Sequence, residues 1–432
     1  MEYDTVVVGA GICGLATAQQ LQQNGLKVLV LEARDRIGGR VVSEMHDGQM
    51  TDMGASWIHG THDSLLYETV RHFGMRELEF TVGSYQVGGR PIAYYGPCAR
   101  ALTPEEIKQF EDDVHHFDER LTATISQIAH MSSYSDAVEK TLLELDWNAA
   151  RKERVREFMR HRTEEQYGAW IENLDAHGLD DDHFEGDEVV FPDGYAELAD
   201  HLAKGLTIKL NSEVKKVEWN ELGATIVSSK GTFHAKNAVV TVPVGVLQSG
   251  EVEFDPQLPE INQKALSGLQ MNAFEKIFLR FNEKFWPDGF YALRRQGESA
   301  KWWHSWYDLT KLNGTPTLLT FAAGPAVKAI RSWSDQKISE SVISSLREIY
   351  GESVPDPRSV TVTRWQDDRF SKGAYAYMKV GSLTRDHSDL ATPIGGVLHL
   401  AGEATWEDDP ATVAAALLSG RRVAERVLSA LA

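Results

Sequence analysis

The chain has 432 residues, 42% hydrophobic and 25% charged, with a formal net charge of −19. That length exceeds one compact core and makes two domains the default. The acidic balance argues against nucleic acid, whose phosphates demand a basic surface, and no apolar run approaches the ~20 residues that cross a bilayer.

Residues 3–40 read as a βαβ unit. An apolar strand, Val6-Val7-Val8, runs into Gly9-Ala10-Gly11-Ile12-Cys13-Gly14; a helix follows, then a strand from Lys27 to Leu31 that ends on Glu32. This order of parts is that of a dinucleotide-binding turn. Gly9 permits the tight turn, Gly11 lets the backbone approach a pyrophosphate, and Gly14 lets the helix pack on the sheet. Ile12 and Cys13 open the helix, whose N-terminal N–H groups and dipole favour phosphate. Glu32 stands where an acid accepts ribose hydroxyls. A bare glycine loop is also a plain turn, but here strand, helix, second strand and acid all follow in order.

Ala33, Arg34, Asp35, Arg36, Ile37, Gly38, Gly39 and Arg40 come next, a second glycine turn in which the Arg40 guanidinium can pair with a phosphate oxygen. Arg36 reads as a surface charge. This string resembles the ExxxxxGGR signature of FAD enzymes of the glutathione-reductase-like class. Further on, Gly54-Ala55-Ser56 are small enough for the backbone to lie flat against a planar ring, and Trp57 supplies an apolar wall. His59 suits either a hydrogen bond to a substrate nitrogen or a structural place at a turn.

Residues 103–128 read as one helix. Thr103-Pro104-Glu105-Glu106 forms a capping box with proline at the first position, and Ile107, Phe110, Val114, Phe117, Leu121, Ile125 and Ile128 make one apolar face. Helical sequence continues to about Trp170. Eight acids and no lysine or arginine lie between Glu172 and Glu188; such a run is a solvated loop or the mouth of a passage for cations. A helix at 196–203 and strands at 207–210, 214–219 and 238–243 follow. A second set of strands and helices spans about 251 to 384, and the chain closes on a strand through Gly402 and Glu403 and a terminal helix from about Pro410. No His, Cys, Asp or Glu cluster has metal-ligand spacing, so no metal is expected. Two cysteines, Cys13 and Cys98, exclude a disulfide framework. With no leader sequence evident, a cytoplasmic location is expected. Cys13 reads as a packing residue.

Taken together, GAGICGL, LEARDRIGGR, GASWIHG, VVTVPVGVLQSG, FEKIFLRFNEKFWP, TRWQDDRFSKGAYAY and LAGEATWEDDPATVAAALLSGRRVAERV resemble the flavin-dependent amine oxidases. That group includes monoamine oxidases, polyamine oxidases and histone lysine demethylases, and the resemblance is strongest to polyamine oxidases. It implies an α/β plus α+β fold: a Rossmann-like FAD-binding domain from 1–85, 190–250 and 385–432, with a mixed-sheet and helical substrate domain from 86–189 and 251–384. It implies noncovalent FAD, since no cysteine follows Cys98. Gly9, Gly11, Gly14, Glu32, Arg34 and Arg40 would hold the ADP half, with Ala33 and Gly39 in the same turn and Val214 against adenine. Gly402 and Glu403 would lie near the pyrophosphate and ribityl chain, and Thr412 and Val413 would present a helix N-terminus to the flavin. Lys276 is the leading catalytic candidate, in a run where a lysine is expensive to bury. Trp365 and Tyr375 would wall the amine site, and Thr412 stands at the second cage position, where monoamine oxidases carry tyrosine. The implied reaction is oxidation of a polyamine or secondary amine by hydride transfer to flavin N5, imine hydrolysis to an aldehyde, and release of hydrogen peroxide from oxygen. The partners implied are a small cationic amine and oxygen, with no nucleic acid and no membrane. An L-amino-acid or monoamine oxidase is the alternative, with Arg90, Arg294 and Arg295 as carboxylate-binding candidates; a flavoprotein devoted to partner binding is a third reading.

Overall fold

A computed structural model describes residues 2–83, 85–88, 90–178 and 185–431; Asp180, Asp181 and Asp182 of the acidic run lie outside the described residues. The first strand, Tyr3–Val8, enters the glycine loop, helix Ile12–Gln23 follows, and strand Val28–Leu31 returns parallel to the first. Val6, Val7, Leu29 and Val30 are completely or almost completely buried, as strands of a parallel sheet covered on both faces must be. The first strand also pairs in parallel with Gly231–Val240, which pairs in turn with Leu398–Leu400. The eight-stranded sheet thus gathers distant parts of the chain. The C-terminal helix Val413–Leu431 packs on the Ile12–Gln23 helix. Strand Glu253–Asp255, assigned from sequence to the substrate domain, hydrogen-bonds to Val214–Asn220 and extends this sheet past residue 250.

A six-stranded sheet lies beside it, in the order Ser359–Val362, Glu275–Arg280, Thr317–Ala322, Ser305–Asp308, Ala292–Arg295, Ile92–Tyr95. Its last strand comes from the earlier inserted segment and joins in parallel. Helix Pro104–Ile125 starts on the Thr103–Glu106 capping box and buries Phe110, Val114, Phe117 and Leu121. Helix Ala149–Tyr167 buries polar groups instead, including His161, Arg162 and Glu164. Trp303 and Trp306 are core residues, and Trp302 stacks on Trp333. Among the described residues no helix is long and apolar enough to cross a membrane.

Candidate active site

The two glycine turns are joined to one another: the Gly38 N–H donates to the Ala10 carbonyl at 2.8 Å. A side chain at Gly14 would place its Cβ 2.0 Å from the Gly9 carbonyl oxygen, so the helix can sit this close only with glycine there. Glu32 accepts N–H bonds from Ala10 (2.7 Å) and Arg34 (2.8 Å). Arg40 donates to Glu403 Oε1 (2.8 Å) and to the Ala374 carbonyl (3.0 Å). The Arg34 fork meets both oxygens of Asp368, at 2.9 and 2.5 Å. Arg36 is not a surface charge. It is half-buried and donates to the carbonyls of Ile37 and Gly39, so it braces the second turn from behind. Burial pushes the Cys13 thiol up to about 12, which leaves it inert.

A cavity of about 420 Å³ begins at these turns. Every expected cofactor residue except Gly14 lies on its wall, as do Lys276, His59, Trp365, Tyr375 and Thr412. Glu403 Oε2 is buried against this wall with no protein partner. Thr412 caps the last helix: its hydroxyl donates to the Asp409 carbonyl (2.8 Å) and accepts the Ala415 N–H (3.0 Å).

Lys276 belongs to the Glu275–Arg280 strand, where successive side chains point to opposite faces. Its neighbour Glu275 accepts the backbone N–H groups of Trp365 and Gln366, both at 2.8 Å, and the Thr363 hydroxyl at 2.6 Å. Lys276 faces the other way. Its ammonium donates to the carbonyls of Asp52 (3.0 Å) and Gly54 (2.5 Å) and to the Ser56 hydroxyl. Trp365 donates from its indole to the Met53 carbonyl at 2.8 Å, so strand, tryptophan and the 52–56 loop form one unit. Burial pushes the Lys276 ammonium down to about 8, against a smaller upward pull from Asp52. Three acceptors for three N–H groups still suit the charged form at neutral pH.

His59 pairs through Nδ1 with Glu188. Glu188 Oε2 also accepts the N–H groups of Val82 and Gly83, each at 2.6 Å. Burial alone would raise this carboxyl, but His59 and the two amides outweigh it and hold it below its usual range. The acidic run is therefore not a uniform solvated loop. Glu188 and Asp175 are buried, the latter accepting the Gly381 N–H at 2.7 Å, and none of the run's described acids is on the cavity wall. The arginines considered for a substrate carboxylate lie off that wall as well: Arg90 pairs with Asp187, Arg294 donates to the Gln86 carbonyl, and Arg295 pairs with Glu348.

One cluster of metal-ligand type, unmarked by sequence spacing, occurs among the described residues: His161, Glu164 and His304. The two imidazoles stack with centroids 3.8 Å apart and planes 7° apart. Parallel rings keep their in-plane lone pairs in two separate planes, whereas a metal about 2 Å from each nitrogen must lie close to both ring planes at once. Arg160 also donates toward His161 Nε2 at 3.2 Å. The geometry is that of a packed polar cluster, and burial drives His304 down to about 3 and Glu164 up to about 8.

Phe274, Phe321, Tyr307 and Glu165 also line the cavity; Phe274 opens the FEKIFLRFNEKFWP segment, and no sequence motif marks the other three. Phe274 packs on Phe321 (4.8 Å) and Tyr375 (5.8 Å), and Tyr307 on Phe321 (5.4 Å) and Trp57 (6.1 Å). They sit on a loop, two strands and a helix end, so no local spacing links them.

The family model for flavin-containing amine oxidoreductases matches residues 12–428, and the chain belongs to that family. It is 31% identical over 441 residues to polyamine oxidase 2 of Arabidopsis thaliana, covering 97% of this chain and 87% of that protein. It is 30% identical over 447 residues to lysine-specific histone demethylase 2 of Homo sapiens, covering 98% of this chain but only 53% of that protein. The chain thus spans about half the length of the demethylases it matches. A putrescine oxidase solved with putrescine bound has the same fold, with a TM-score of 0.81 at 22% identity over 99% of each chain. The family's FAD fits the residues present: two joined glycine turns meet an orphaned Glu403 oxygen on the wall of one cavity.

Proposed function

We propose that the protein oxidises polyamines or related secondary amines with oxygen as the electron acceptor. The observation that carries this reading is the continuity of one cavity from the dinucleotide turns to Lys276 and its aromatic wall. The turns of Gly9–Gly14 and Gly38–Arg40, with Glu32, Val214 and Glu403, would hold FAD without a covalent bond, and the N-terminus of the last helix at Thr412–Val413 would face its ring. FAD bound there supplies a two-electron acceptor for the hydride that leaves the amine's α-carbon. Trp365, Tyr375, Phe274 and Trp57 exclude water, and that desolvation favours the neutral form of the amine. Lys276 holds a proton at Nζ, anchored on Asp52, Gly54 and Ser56, where it orders the polar groups beside the reacting carbon. The imine left by the substrate hydrolyses in water to an aldehyde and a shorter amine, and oxygen leaves as hydrogen peroxide. The test is peroxide release from the purified yellow protein against polyamines, monoamines, L-amino acids and a methylated-lysine peptide. Turnover confined to amines without a carboxylate is expected. Turnover of L-amino acids alone would overturn the reading, and turnover of the peptide alone would move it to the demethylase branch.

A further inference from the structure

Three segments of the amine end meet at one buried side chain that does not itself reach the cavity. Asn272 is 4% exposed and is not part of the cavity wall. It follows strand Leu269–Met271, which pairs antiparallel with Ala376–Met378. Its backbone carries that pairing one step further. Its N–H donates to the Tyr375 carbonyl at 2.9 Å, and its carbonyl accepts the Ala374 N–H at 3.2 Å. The side chain then joins two distant segments: Oδ1 accepts the Tyr375 N–H at 3.2 Å, and Nδ2 donates to the Tyr167 carbonyl at 2.5 Å. Tyr167 ends the Ala149–Tyr167 helix, and both it and Tyr375 are on the cavity wall. Two residues past Asn272, the Phe274 ring packs 5.8 Å from that of Tyr375, and Lys276 comes two residues later.

The neighbours admit this contact only as glycines. Gly168 has a φ of +58°, and a Cβ there would lie 2.6 Å from Asn272 Nδ2. Gly373 has a φ of +141°, and a Cβ there would lie 2.5 Å from the Asn272 carbonyl oxygen. The partners also dictate the side chain. One is a backbone acceptor and the other a backbone donor, so the group between them must donate at one end and accept at the other. An amide does both. A carboxylate has no donor for the Tyr167 carbonyl, and an apolar side chain serves neither partner.

We propose that Asn272 is a positioning residue for amine oxidation: it fixes Tyr375 against Phe274 and the helix end, so that the amine is held in one orientation beside Lys276. This rests on the reading of the chain as an amine oxidase and assigns a residue which that reading leaves unused. Asn272 acts through Tyr375 and not by contact with either reactant. Loss of its amide lets Tyr375 shift, and a displacement of about 1 Å at a reacting centre costs up to about 100-fold in rate. The dinucleotide end, and reoxidation of the flavin by oxygen, do not depend on it.

The test follows anaerobic flavin bleaching by spermidine and by putrescine in the holoenzyme, in Asn272→Asp and Asn272→Ala, and in each of these with Tyr375→Ala added. Asp keeps the shape and loses the donor; Ala loses both bonds. Each single variant should lower the limiting rate of bleaching by about tenfold or more, with the half-saturating amine concentration changed by less than about threefold. Reoxidation in air should keep its wild-type rate. With Tyr375→Ala in place, the further loss from either Asn272 change should shrink below about twofold, because the ring it positions is gone. A purely structural role would cost the same in both backgrounds. Equal losses in both backgrounds, wild-type bleaching in the single variants, or variants that cannot hold FAD would each overturn the positioning role while amine oxidation stands. A wild type bleached by no amine overturns the underlying reading instead.

Discussion

The two ends of the cavity are built by different rules. At the dinucleotide end, four short stretches (8–14, 31–40, 53–57 and 402–413) supply most of the wall, and Gly9, Gly11, Gly38, Gly39, Gly54 and Gly402 among them have only backbone to offer. At the amine end, Lys276, Glu165, Tyr307, Phe321 and Tyr375 come one at a time from different strands, a helix end and a loop. Backbone recognition depends on turn conformation and glycine, so the first end tolerates little change. Side-chain recognition leaves the second end free to change specificity while the fold stays.

The largest effect should come from the first end. Gly14→Val drives a side chain into the Gly9 carbonyl, and about 3 kcal/mol or more of destabilisation is expected. Loss of the yellow colour on purification and a fall in Tm check this; a stable yellow variant would remove the constraint argued for that turn. Next is Lys276→Met at the amine end, expected to keep FAD bound while turnover falls by about 100-fold. Stopped-flow absorbance of the flavin separates the reductive from the oxidative half-reaction, and wild-type turnover would discard the assignment.

Lys276 also makes a pH prediction. Its folded value of about 8 lies below the ordinary 10.5, so between those values the unfolded chain holds more protons than the folded one. Stability from this group therefore rises with pH across that window, and Lys276→Met should flatten the rise in a Tm series from pH 8 to 10. Glu188 is also shifted down, but here the shift favours the charged form. Its carboxyl is held below the usual value of 4.5, so its contribution is present above that value and is lost as pH falls through the folded one. Glu188→Gln should cost about 1–3 kcal/mol, the range for a buried hydrogen-bonding group left unsatisfied, with the acid limb of the Tm curve flattened. The smallest effect is Asp368→Asn, about 1 kcal/mol at most, since Arg34 and Asp368 are partly exposed.

Legibility in the sequence follows the same division. The first strand, the glycine loop and Glu32 are consecutive, and their spacing alone announces the unit. The capping box at Thr103 and the apolar face of Phe110, Val114, Phe117 and Leu121 are equally local. Arg36 reads wrongly as a surface charge because its partners are the carbonyls of its own turn, a conformational fact with no residue pattern. Arg34 cannot be matched from sequence to Asp368, which lies 334 residues further along the chain. Glu188 is one acid in a charged run, and only the tertiary fold brings it to His59. Glu165 and the stacked His161–His304 pair are hidden for a related reason. The helix that carries Glu165 and His161 buries polar residues, so it has no clean apolar stripe from which an inward face could be read, and His304 reaches it from a distant part of the chain.

Whether flavin and amine meet in one cavity is tested most directly by anaerobic addition of spermidine to the purified holoenzyme, followed by absorbance in the flavin band and then by admission of air. Bleaching with spermidine is expected, then recovery in air with one peroxide released per amine oxidised, and slowed kinetics in Lys276→Met. A flavin that stays oxidised with spermidine, putrescine and their N-alkylated analogues would contradict a shared cavity for the two reactants.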